Sequence, residues 1–196
     1  MQKVQSVTVL GLDSHRRFSV VTGRDAEGVV VWRERLEHAD RVRLRAALAA
    51  WPAGTPVVLE ATFGWGWMCD ELAAGGLRPH LASSTKVAAW RKARGLAKSN
   101  RVDADLLSEL PQRASDRWWE VWLAPSEVRE AREWMRYRMT LVGMQTGLKN
   151  RMHAVLHRHG IVNDEADLFG VAGRQMLNSL VSEESAVRAA RGEACL

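Results

Sequence analysis

Over the first 36 residues, short aliphatic and β-branched runs alternate with charges and glycines. VTVLGLD (7–13) is apolar until it ends in an acid, the pattern of a buried strand. FSVVTG (18–23) is β-branched and stops at Gly23, and GVVVWRERL (28–36) follows the turn residues Arg24 to Gly28. These three runs predict an antiparallel meander. The period then changes. Val42, Leu44, Ala47, Leu48 and Trp51 form a helical stripe over 39–51, with Asp40 at its start and Pro52, Gly54 and Pro56 beyond its end. VVLEAT (57–62) predicts a second buried strand with Glu60 near its end, and GWGWMCDELAAGG (64–76) a helix closed by a glycine pair. RPHLAS (78–83) reads as a short strand. Residues 85–95 and 101–110 read as two helices separated around Gly95.

A meander followed by alternating helices and strands is mixed α/β. The order matches the ribonuclease H-like plan, three antiparallel strands and then parallel ones joined by helices. After Pro125 the texture differs. From Ser126 to His159 there is no proline, and Trp134/Met135, Leu141/Val142, Leu148, Met152 and Val155/Leu156 recur at about seven residues. This predicts a long helix with a coiled-coil-like stripe, interrupted by Gln145 and Lys149. GIVNDEADLFG (160–170) breaks it, and a last amphipathic helix is expected over about 173–191. The expected organisation is therefore an α/β domain over 1–124 and a helical arm over 125–196.

Charge narrows the partners. The formal net charge is +5 and the isoelectric point about 9.8. Residues 78–101 hold seven Lys or Arg and no acid, and residues 134–162 hold five and no acid. Two acid-free basic stretches point to a polyanion such as DNA or RNA. No apolar run approaches the ~18 residues of a membrane helix, so no membrane partner is expected. The opening MQKVQSVTVLGLD reads as a strand, not a signal peptide. Cys69 and Cys195 are isolated from each other, which fits a reduced, cytoplasmic protein. Nine tryptophans are read mainly as packing, and His153 and His157 share a helix face without a third ligand.

Asp13 and Glu60 end two strands that the ribonuclease H-like plan makes neighbours, so their carboxylates converge. Asp103 lies near the start of a later helix. Three hard oxygen donors from separate elements suit Mg²⁺ or Mn²⁺, and paired ions of this kind hold both oxygens of a phosphodiester displacement. Strand-end acids also serve as caps and turn formers; the pairing of Asp13 with Glu60 is what turns the reading towards chemistry. Asn100, three residues before Asp103, shares its helix face. Asp105, roughly 200° around the helix, is expected to face solvent.

The segments GLDSHRRFSV, VVLEATFGWGW, AKSNRVDADLLSEL and LKNRMHAVLHRHGI are together similar to the N-terminal half of the insertion-sequence-110 family of DEDD transposases, over roughly residues 7–162. The resemblance implies a RuvC-like domain in which Asp13 matches the first acid, Glu60 the second and Asp103 the fourth. The third aligns with Asn100, so the expected site has one charge fewer than the family pattern. The resemblance further implies DNA strand cleavage and exchange guided by a structured RNA, and a C-terminal domain carrying a serine nucleophile. With the sequence stopping at Leu196, the expectation is a chain that lacks this domain and is incomplete as a recombinase. Arg91, Lys92, Arg94, Lys98, Arg101, Lys149, Arg151 and Arg158 are the expected nucleic-acid contacts, and the helical arm the expected seat of homo-oligomerisation.

Two other classes stay open. A non-catalytic nucleic-acid-binding or dimerisation module needs no metal. Actin-like and sugar-kinase ATPases share the fold plan but require glycine-rich phosphate loops, whereas residues 14–17 are Ser-His-Arg-Arg.

Overall fold

The computed structural model describes residues 6–113, 116–162 and 167–190. Contacts divide the chain into two units, residues 1–129 and 130–196. The first is built from β1 (Val9–Ser14), β2 (Phe18–Arg24), β3 (Val30–Glu37), α1 (Arg41–Ala49), β4 (Pro56–Glu60), α2 (Trp65–Ala74), β5 (Arg78–Ala82), α3 (Ser84–Ala93), α4 (Asn100–Arg113) and β6 (Glu120–Val121). They form one sheet in the order β3-β2-β1-β4-β5-β6. The β1–β2 and β2–β3 pairs are antiparallel, β1–β4 and β4–β5 parallel. This is the ribonuclease H-like arrangement that the order of elements predicted.

Each face of the sheet has its own core, set by the two-residue period of the strands. Leu10, Leu12, Val57 and Leu59 pack on one face with Leu44 and Leu48 of α1 and Met68 and Leu72 of α2. Val58 and Ala82 pack on the other with Val87 of α3 and Leu107 and Leu110 of α4. Each fully buried leucine contributes about 1.5–3 kcal/mol. α1 starts where its N-cap predicts, with the Asp40 carboxylate accepting from the Arg43 amide at 2.9 Å. Val42 does not join the stripe: it is 81% exposed, on the side of the helix away from Leu44 and Leu48.

α4 lies across β1, β2 and β4 on that second face. Gly11 of β1 makes this approach possible, because a Cβ there would fall 2.2 Å from the Ala104 carbonyl oxygen and 2.3 Å from the Ser108 amide nitrogen. The buried Arg24 of β2 fastens the same contact, donating to Ser108 Oγ at 2.8 Å and Glu109 Oε1 at 2.9 Å. α4 runs on through Pro111 to Arg113, past its expected end at 110. The edge strand β6 pairs antiparallel with β5 through only two residues, too few to show a period in the sequence. Its neighbour Trp119 is buried in the second core.

α5 (Ser126–Arg158) is a single 33-residue helix, and α6 (Val171–Ala190) follows. In the second unit, Trp134, Met135, Leu141, Val142, Met144, Leu148, Met152 and Val155 are exposed. No helix among the described residues is long and apolar enough to cross a membrane.

Candidate active site

The two strand-end acids meet because β1 and β4 are parallel neighbours in register, Leu12 opposite Leu59. Since Leu12 and Leu59 face one core, Asp13 and Glu60, each one residue on, face the other side, where α4 lies. The start of α4 supplies the third acid. Ser99 precedes the helix, its Oγ accepting from the Val102 amide at 3.2 Å and its carbonyl from the Asp103 amide at 2.9 Å. Asp103 is thereby held in the first turn, where the helix dipole favours a carboxylate, and it is buried. Asn100 lies one turn earlier on that face. Asp13, Glu60, Asn100 and Asp103 all line one open cleft of about 560 Å³.

The charges in this cleft are incompletely balanced. Burial pushes the Glu60 carboxyl up to about 7, and the neighbouring Asp103 and Asp13 push the same way. The Asp13 carboxyl is also raised, first by burial and then by Asp103, against the opposing effect of His15. His15 Nε2 lies 3.0 Å from Asp13 Oδ2. Arg91 of α3 donates to Asp103 Oδ1 at 2.6 Å. Lys98 lines the cleft and partly offsets the charge on Asp13 and Glu60.

The donor set suits a hard divalent cation in kind: three carboxylates and an amide oxygen, with a mutual repulsion that a cation would relieve. Among the described residues, no three acidic, histidine or cysteine side chains stand together at ligating separation. Arg91 and His15 instead hold two of the carboxylates, so ligation requires these side chains to give way or turn.

The expected nucleic-acid contacts divide. Lys92, Lys98, Arg101, Arg151 and Arg158 are exposed. Arg91 points inward to Asp103, and Arg94 is paired with Glu109 at 2.6 Å and lies over the Trp90 ring. Lys149 sits 4.9 Å from the Phe169 ring centre, and His153 packs edge-on against the same ring.

Asp105 does not face solvent as its angle from Asp103 suggested. α4 has sheet beneath more than one of its sides, and Asp105 lies over β2 and β3. It accepts from Thr22 Oγ1 at 2.7 Å and from Arg33 Nη2 at 2.9 Å. It is no part of the cleft. His15 escaped the sequence reading, yet its signal was present: it lies two residues beyond Asp13 and so shares its side of the chain. Trp65 and Trp67 pack against the first core and Trp90 edge-to-face with Trp118, as expected, whereas Trp122 and Trp134 are 64% and 65% exposed.

A family model of transposases, the DEDD type of insertion sequence 110, matches residues 10–161. Comparison with curated proteins gives no match.

Proposed function

The chain belongs to the insertion-sequence-110 family of DEDD transposases, and on that premise we propose that its α/β unit binds nucleic acid and Mg²⁺ (or Mn²⁺) for the cleavage and exchange of DNA strands. The observation that carries the proposal is the convergence of Asp13, Glu60 and Asp103, from two strand ends and a helix start, on one cleft. These three would hold the ion, with the Asn100 side-chain oxygen in the fourth position. When bound, the metal would supply Lewis-acid stabilisation of the oxygens that enter and leave the phosphate.

The chain's own residues carry the rest. Asp103 is fixed by its helix start, Glu60 by the end of β4. His15, on Asp13, and Arg91, on Asp103, occupy these carboxylates until a cation takes their place. Lys98 lines the cleft and Arg101 follows Asn100 in the first turn of α4, where a phosphate backbone would neutralise them. Lys92 adds to the basic surface of the α/β unit, and Lys149, Arg151 and Arg158 give the arm basic positions of its own, for DNA and for a structured guide RNA of the kind the family resemblance implies. The exposed residues Trp134, Tyr137, Leu141, Met144, Leu148 and Val155 recur at alternating three- and four-residue steps, with Arg151 the one interruption. We propose that a second copy covers this stripe as a coiled coil.

A second reading, a nucleic-acid-binding or dimerising module without catalysis, draws support from the side chains that already hold Asp13 and Asp103 and from Asn100 in an acid's position. Two measurements separate the readings. Mg²⁺ or Mn²⁺ titrated into the full chain should bind, and Asp13→Ala should abolish binding; no binding in the wild type leaves the module reading alone. DNA and RNA affinity should fall steeply with salt, by about 0.7–0.9 in log–log slope per phosphate contacted. A flat slope would remove the backbone contacts from either reading.

A further inference from the structure

Phe63 is 94% exposed, more than any other large apolar side chain among the described residues. A single exposed apolar residue is ordinary; its setting is not. Phe63 follows Glu60 by three residues and lines the same cleft as the three acids. The backbone beneath it is fixed on both sides. The Ala61 amide donates to the Ala82 carbonyl and the Thr62 amide to the Glu60 carbonyl, both at 2.8 Å. Gly64 then turns the chain at φ 81°, a conformation that glycine adopts without strain, and Trp65 and Trp67 anchor the start of α2 against the core. The fold thus spends two tryptophans on holding this turn and leaves the phenylalanine between strand and helix in water. Arg16 and Lys98, both exposed, line the same cleft.

An aromatic ring on a rigid turn, with cations and a phosphate-chemistry acid cluster around it, matches what an unpaired nucleobase requires. Every base offers a π-face, stacking needs no hydrogen-bond readout, and the flanking cations hold the adjoining phosphates. We infer that Phe63 stacks on an unstacked base next to the phosphate presented to Asp13, Glu60 and Asp103. It acts as a positioning residue that fixes the strand at the cleft. The inference rests on the nucleic-acid reading given above.

The test uses the full chain as wild type, Phe63→Ala and Phe63→Trp, with a short single-stranded DNA carrying one 2-aminopurine. Phe63→Ala should bind about tenfold more weakly and lose the quenching of 2-aminopurine that stacking causes, while the salt slope stays unchanged. Phe63→Trp should restore both, and all three proteins should unfold at the same temperature. Equal affinity and quenching in wild type and Phe63→Ala would overturn the inference and leave the nucleic-acid reading standing. A lower unfolding temperature for Phe63→Ala, or a change in its oligomeric mass with DNA binding intact, would make the ring structural or a protein contact and overturn it as well. A wild type that binds no DNA at any salt would overturn the inference together with the reading beneath it.

Discussion

The α/β unit buries most of its leucines, whereas the arm leaves much of the apolar face of α5 in water. Leu107 and Leu110 of α4 are completely buried, whereas Leu148 of α5 is 65% exposed. Charges differ in the same sense. Arg24 and Arg91 of the first unit are tied to Glu109 and Asp103, while Arg151 and Arg158 of the arm lie open. The first unit pairs these charges, and its cleft is where neighbouring carboxylates raise the proton affinity of Asp13 and Glu60. The arm leaves a whole apolar stripe unsatisfied. An exposed apolar surface of that kind costs solubility, and the proposed second copy would cover it.

Glycine-to-alanine changes probe the contrast most severely. Gly11→Ala puts a methyl into the backbone of α4, and should cost about 3 kcal/mol or more. The expected result is a large fall in the unfolding midpoint and loss of the cleft's geometry. Gly143→Ala meets nothing within 4 Å on the arm and should stabilise the helix, by about 0.5–1 kcal/mol. Urea unfolding of both variants checks the opposite signs. If Gly11→Ala were tolerated, α4 would not sit where Asp103 needs it.

Leu148→Asp should weaken self-association at least about tenfold, as a buried charge in a coiled-coil seam does, while unfolding of the α/β unit stays unchanged. Sedimentation equilibrium measures the first effect and circular dichroism the second. Monomeric wild type at high protein concentration would remove the second copy from the account.

The cleft has its own signature in pH. Glu60 binds a proton more tightly in the folded chain than in the unfolded one, because its carboxyl is raised from 4.5 to about 7. The folded state therefore gains at low pH, and stability should fall as pH rises from about 4.5 to about 7, then level off. With solvent screening at this partly exposed group the loss is about 1–2 kcal/mol. Glu60→Gln should flatten the profile across that window. Saturating Mg²⁺ should flatten it too, because a bound cation favours the ionised carboxylate. The smallest change is expected from Asn100→Asp, which restores an acid on the Asp103 face and should tighten Mg²⁺ severalfold. Unchanged or weaker binding would mean that residue 100 does not reach the ion.

What the sequence disclosed follows from the range of the physical rule involved. Asp13 and Glu60 were legible because strand ends and parallel neighbours follow from element order alone. Asp103 was legible through its helix face and the family resemblance. Asp105 was misplaced because a helical angle says which side a residue takes, not which sides are covered. Arg91 looked like one more cation in a basic run, and only the approach of α3 to α4 turns it onto Asp103. The close contact at Gly11 was invisible for the same reason, since a glycine in a strand does not announce the helix that will lie on it. Strand β6 lay below the length at which a period exists.

The central claim is that three acids from β1, β4 and α4 share one cation. Calorimetric titration of Mg²⁺ at pH 8, with Glu60 ionised, into wild type, Asp13→Ala and Arg91→Ala tests it most directly. The account predicts saturable binding in the wild type, none in Asp13→Ala, and tighter binding in Arg91→Ala, where Asp103 is released from its ion pair. No binding in the wild type, or the same isotherm in wild type and Asp13→Ala, would contradict it.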